Sequence, residues 1–170
     1  MRRIRRTTVV AGAALALAVS VFASHPSQAP AQTSAPAAGV VVNGSFEQLE
    51  GGRPAGWRPA SFQRSGELAV DTVAHTGSRS VRITSTAGAD LGWTTTVPVR
   101  PYARYRLSAW IKTENLQADT GMGALLNLHG MGKTTTRALA GTNDWTQVSL
   151  EFDTAGLDAV QINCLFGGWG

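Results

Sequence analysis

The stretch Val97–Thr113, VPVRPYARYRLSAWIKT, decides the fold. Pro98 and Pro101 mark a turn, and the segment after it alternates: Leu107, Ala109 and Ile111 are apolar, whereas Arg106, Ser108, Trp110 and Lys112 lie between them. Successive strand side chains point to opposite faces, so the pattern predicts a half-buried β-strand with Trp110 on its polar face.

Outward from this strand, apolar or alternating runs of five to eight residues recur between Gly, Pro, Asn and Asp signals. They cover Val40 to Glu47, Trp57 to Gln63, Leu68 to Val73, Ser80 to Ser85, Trp93 to Val99, Tyr105 to Lys112, Ala124 to His129, Lys133 to Leu139, Thr146 to Phe152 and Ala159 to Phe166. Short strands at this spacing predict an all-β sandwich. Past the N-terminal region no segment sustains the i, i+3, i+4, i+7 apolar pattern, which argues against a helical domain.

The chain opens with Arg2, Arg3, Arg5 and Arg6, followed by small apolar residues from Val9 to Ala23. About 15 apolar residues fall short of the ~20 that span a bilayer, so residues 1–31 are expected to be a signal peptide cleaved after Ala23 or Ala31. Residues 32–39 then read as a flexible lead-in and 40–170 as one domain. A secreted or extracytoplasmic location follows, with no membrane attachment after cleavage. Removing 1–31 takes four arginines and no acid from a chain with 15 basic and 11 acidic residues. The remainder is balanced, and nucleic acid as a partner loses its electrostatic basis. Cys164 is the single cysteine, so neither an intrachain disulfide nor a multi-thiolate metal site is available.

Six motifs occur in order: Asn43-Gly44-Ser45-Phe46-Glu47, Pro54-Ala55-Gly56-Trp57, His75-Thr76-Gly77-Ser78-Arg79-Ser80, Val97-Pro98-Val99-Arg100-Pro101, the Tyr105–Lys112 strand, and Trp145-Thr146-Gln147-Val148-Ser149-Leu150-Glu151-Phe152. Together they resemble carbohydrate-binding modules of the family 4/9 (CenC-like) type over residues 40 to 166. The resemblance implies a jelly-roll sandwich like a galactose-binding domain, attached to another domain in longer relatives. Such modules usually close on a strand reading like W-F-D-D-V, so this chain is expected to lack its final strand. The resemblance also implies a structural Ca²⁺ held by Glu47 and backbone carbonyls around Arg79. A turn-capping Glu47 is the alternative, because calcium wants six to eight oxygens.

Strand parity nominates the candidate site. If Leu107, Ala109 and Ile111 face the core, Trp110 faces out, and the same rule turns Gln161 and Asn163 outward from Val160, Ile162 and Cys164. Burying Leu126 and Leu128 exposes Asn127 and His129. A flat indole stacks on the C–H face of a pyranose, and amides offer sugar hydroxyls both a donor and an acceptor. Trp110, Asn127, His129, Gln161 and Asn163 are therefore expected to line one concave sheet that binds a poly- or oligosaccharide, with Trp57, Trp93 and Trp145 as core or edge anchors. A sandwich used for protein contact or as a spacer is the alternative, and a concave face filled by Leu125 and Leu165 would favour it.

Enzyme readings do poorly. Gly132-Lys133-Thr134 resembles the end of a phosphate loop, but Asn127 stands where that loop needs glycine. Neither G-x-S-x-G nor H-E-x-x-H occurs in the sequence. Glu151 and Asp153 are neighbours on one strand face, whereas glycosidase carboxylates flank a cleft.

Overall fold

The computed structural model describes residues 7–12, 37–63, 66–118 and 121–167. These form eleven strands and no helix: β1 (Thr7–Gly12), β2 (Leu49–Glu50), β3 (Arg53–Pro54), β4 (Arg58–Gln63), β5 (Glu67–Asp71), β6 (Ser80–Ser85), β7 (Asp90–Pro98), β8 (Arg104–Leu116), β9 (Gly123–His129), β10 (Gly141–Asp153) and β11 (Ala159–Gly167). One antiparallel sheet has the order β10-β8-β1-β6-β5 and the other β4-β7-β11-β9, while β2 and β3 make a small hairpin. This is the all-β sandwich that the alternating runs predict.

The core follows from the alternation. Leu107, Ala109 and Ile111 on β8 and Val81 and Ile83 on β6 turn inward from one sheet, and Trp93, Leu126, Leu128 and Ile162 meet them from the other. Each large aliphatic side chain fully removed from water contributes roughly 1.5 to 3 kcal/mol. Phe46 and Trp57 are both buried in this cluster, their rings 5.0 Å apart. Trp57 and Trp93 are core anchors, while Trp145 is only half-buried.

Two expected strands are not strands. Val40–Glu47 is a series of turns, in which Asn43 (φ 51°) and Phe46 (φ 62°) both adopt left-handed backbone outside the extended region of a regular strand. Lys133–Leu139 makes only isolated bridges, Asn127 to Thr135 and Ala124 to Leu139. There the Thr136 hydroxyl accepts the Leu126 N–H at 3.1 Å, taking the place of a ladder carbonyl.

A third difference concerns the N-terminus. Thr7–Gly12, inside the stretch expected to be a leader, occupies the middle of the five-stranded sheet, antiparallel to β6 and β8. Both expected cleavage points lie outside the described residues.

Candidate functional site

The inward turn of Ile162, Cys164, Leu126 and Leu128 puts Gln161, Asn163, Asn127 and His129 on the outer face of the four-stranded sheet. The register sets them side by side, Gln161 opposite His129 and Asn163 opposite Asn127. On the other flank of β11, Gln161 meets Thr96 and Asn163 meets Thr94, which is itself opposite Arg58. Two polar rows result, Thr96–Gln161–His129 and Arg58–Thr94–Asn163–Asn127.

The amides are ordered by one another. Gln161 Nε2 donates to Asn163 Oδ1 at 3.3 Å, and Asn163 Nδ2 donates to Asn127 Oδ1 at 2.8 Å. Among the described residues this leaves Asn127 Nδ2 and Gln161 Oε1 as the open ends, a donor and an acceptor. Asn163, expected to be exposed, is 0% exposed: it lies on the outer face as parity requires, but it serves as the link between its neighbours. Asn127 and Gln161 are half-buried, and Thr96 and His129 are exposed. Thr94 Oγ1 is buried without a partner among the described residues.

Phe62 of β4 and His129 of β9 stack with centroids 5.9 Å apart. Those strands are opposite edges of the sheet, so the sheet curls its edges toward each other and the outer face is concave. Leu125 and Leu165 share this face but are buried, so they offer no exposed apolar patch. Beside Thr96 a concavity of about 400 Å³ opens, lined in part by Glu50, Arg53, Arg58 and Thr95. Phe62, Thr94, Thr96 and Arg58 were missed by the sequence reading, although the parity running from buried Trp57 through Arg58 and Ala60 to Phe62 carried the signal.

Trp110 is not on this face. It sits on β8 of the opposite sheet, and the His75 ring lies flat on it at 4.0 Å and 10°. Trp145 meets the same imidazole edge-on at 5.8 Å. One face of the indole is thus spent on packing, and the expected joint platform with the amides does not form. Parity fixes which side of a strand a residue takes but not which sheet the strand joins.

Glu47 closes the other end of the His75–Ser80 loop. Its carboxylate accepts Ser78 N–H at 2.9 Å, Arg79 N–H at 3.0 Å and Ser78 O–H at 2.6 Å, and the Arg79 guanidinium lies 3.6 Å away. The Ser78 bonds are the main cause holding this carboxyl below its ordinary range. Donors surround the oxygens that a cation would need, and no group of three or more His, Cys, Asp or Glu suited to a metal occurs among the described residues. In the structure Glu47 clamps the loop as a hydrogen-bond acceptor for Ser78 and Arg79.

Asn43 closes the loop that joins the first two motifs: its side chain donates to Gln48 O and Ala55 O at 2.9 and 3.0 Å, and its carbonyl accepts Trp57 Nε1 at 3.2 Å. Glu151 and Asp153 pair across strands with Arg106 and Arg104 at 2.5 and 3.1 Å. Hydrogen bonds from those arginines keep both carboxyls below the usual range, so they stay ionised at neutral pH and carry no proton to donate. A family described as a carbohydrate binding domain, of the 4/9 type, matches residues 38–164. The chain belongs to that family. Carbohydrate-binding modules of this type are typically non-catalytic, in keeping with the arginine-paired carboxylates. No curated protein matches the chain.

Proposed function

We propose that this domain is a non-catalytic module of a secreted protein. It docks a poly- or oligosaccharide on the concave face of its four-stranded sheet. The observation that carries this reading is the Gln161–Asn163–Asn127 amide chain, whose open donor and acceptor ends lie beside Thr96 and His129. Sugar hydroxyls both donate and accept, so amides preset in orientation bind them at low entropic cost. The Phe62–His129 pair supplies apolar ring surface at the rim, and the concavity past Thr96 gives room for a further sugar unit. In this reading Trp110 belongs to the scaffold. An open sheet site excludes little water, so affinity for one short oligosaccharide is modest. Tethering to a catalytic domain would make such a weak binder useful by raising local concentration.

The test is binding of the full chain to a panel of soluble and insoluble polysaccharides, by affinity electrophoresis and titration calorimetry, with Asn127→Ala and Gln161→Ala alongside. Binding by the wild type, lost at least tenfold in both variants while their circular dichroism is unchanged, is the expected result. A folded protein that binds no glycan would move the reading to protein contact, and variants that bind like the wild type would remove the site from this face.

A further inference from the structure

In the five-stranded sheet, β8 and β10 form one antiparallel pair and β5 and β6 another, and β1 alone joins them. Its register on β6 runs from Thr7↔Ser85 to Ala11↔Val81, and on β8 from Thr8↔Glu114 to Gly12↔Trp110. Both neighbours are antiparallel to it, so β6 and β8 run parallel to each other with one strand's width between them. Without β1 that gap is two ladder spacings, roughly 9.5 Å, too wide for β6 and β8 to bond directly.

Two-stranded ribbons are marginal in water, and each would present a row of unpaired N–H and C=O groups at the middle of a sheet. The core-facing side chains that flank the gap carry no charge. Val81, Ile83, Ala109, Ile111 and Thr113 are all at most 1% exposed. Without β1 the backbone beside these core-facing residues would be open to water, although Arg82, Lys112 and Glu114 also flank the gap on the outer face. The sequence of the occupant, Thr-Thr-Val-Val-Ala-Gly, is rich in β-branched residues that favour strands.

We propose that the position between β6 and β8 is a strand-acceptor site. It is filled in the intact chain by Thr7–Gly12 and emptied by any cleavage that removes the leader. The occupant is an extended segment antiparallel to both neighbours, with main-chain hydrogen bonds supplying affinity as in other strand additions. Processing of the N-terminus and completion of the sheet are then coupled: the site is closed while Thr7–Gly12 is held in it, and it opens to a strand in trans once the cut fragment is carried away. This stands apart from the glycan face, which lies on the other sheet.

The test uses the full chain with a protease recognition sequence inserted after Ala31. After cutting under native conditions, the N-terminal fragment should co-elute with the body and be released by denaturant. An excess of labelled peptide spanning residues 6–13 should replace it, and Tm should fall by roughly 10 °C or more when the fragment is removed. Val9→Pro, which deletes a ladder N–H from a strand bonded on both sides, should release the fragment on cutting. Immediate loss of the fragment with Tm unchanged, or equal retention by the Val9→Pro variant, overturns the proposal. A second measurement does not depend on cutting. In the uncut chain, Thr8→Cys with Thr84→Cys, which are Cα partners, should form a disulfide. Thr8→Cys with the out-of-register Arg82→Cys should not. Equal crosslinking of both pairs also overturns it.

Discussion

Deleting the Asn163 amide separates the two roles that a buried polar residue on a binding face can play. Asn163→Ala removes the donor that holds Asn127 Oδ1 at 2.8 Å and the acceptor of Gln161 Nε2 at 3.3 Å. A neutral hydrogen bond contributes about 1 kcal/mol net, and the longer one less. Asn127 and Gln161 are half-buried, so the groups set free re-pair with water instead of standing orphaned. The expected loss is about 1 to 2 kcal/mol, a Tm drop of about 3 to 8 °C, measured by urea and thermal unfolding. Asn127→Ala deletes the same 2.8 Å bond, so a double-mutant cycle should give a coupling of about 0.5 to 1.5 kcal/mol. Calorimetric titration with the best-binding glycan should show Asn163→Ala weakened about tenfold, equivalent to ~1.4 kcal/mol. Asn163 is 0% exposed and acts through its neighbours, so its affinity loss and that of Asn127→Ala should be less than additive. A coupling in stability below about 0.3 kcal/mol would refute the hydrogen-bond account, and fully additive affinity losses would refute the positioning role.

Trp110→Ala should cost about 2 to 4 kcal/mol of stability, through the lost His75 stack and partly buried area, while leaving glycan affinity of the folded variant within about twofold. A selective loss of binding would return Trp110 to the site. Glu47, Asp144, Glu151 and Asp153 all have depressed carboxyl pKa values. Hydrogen bonds from Ser78, Lys112, Arg106 and Arg104 respectively are the leading causes. Their stabilisation is therefore complete above the unfolded values and is lost as pH falls through the lower folded ones, so Tm should be level from pH 7 to 5 and decline below about pH 4. A decline centred near pH 6 would point to histidine instead. Burial pushes the Cys164 thiol up to about 12. A thiol reagent at pH 8 should leave it unlabelled in the native protein and label it fully in denaturant, and rapid native labelling would contradict the packing of β11.

Local pattern carried the strands whose two faces differ. β6 is legible because Val81 and Ile83 alternate with Arg82 and Thr84, and β11 because Val160 and Ile162 alternate with Gln161 and Asn163. The same two-residue period turned Asn127 and His129 outward beside Gln161 and Asn163. Strand order is a different kind of information. Nothing within Tyr105–Lys112 says that β8 joins the five-stranded sheet, so Trp110 was grouped with amides that lie across the core from it. The turns at Asn43 and Phe46 and the hydroxyl substitution at Thr136 were hidden for another reason: in each, a single residue's conformation or side-chain hydrogen bond overrides an apolar pattern. Thr7–Gly12 carries both a leader-like composition and a strand-forming one, and the register places it between β6 and β8.

The motifs that mark the family turn out to be stitches. Asn43 fastens Gln48, Ala55 and Trp57, Glu47 fastens Ser78 and Arg79, and His75 covers Trp110. Each holds a loop to a strand or to another loop, where a change would loosen the frame. Thr96, Asn127, His129, Gln161 and Phe62 lie outside all six motifs, and the first four are on strands whose inward residues already secure the core. Their outer side chains can change with little effect on that core. A motif match therefore speaks for the scaffold, whereas in the proposed reading the choice of glycan would rest with residues that the match leaves open. On this argument, exchanging Gln161 or Thr96 for other polar residues should alter which sugar binds before it alters whether the sandwich folds.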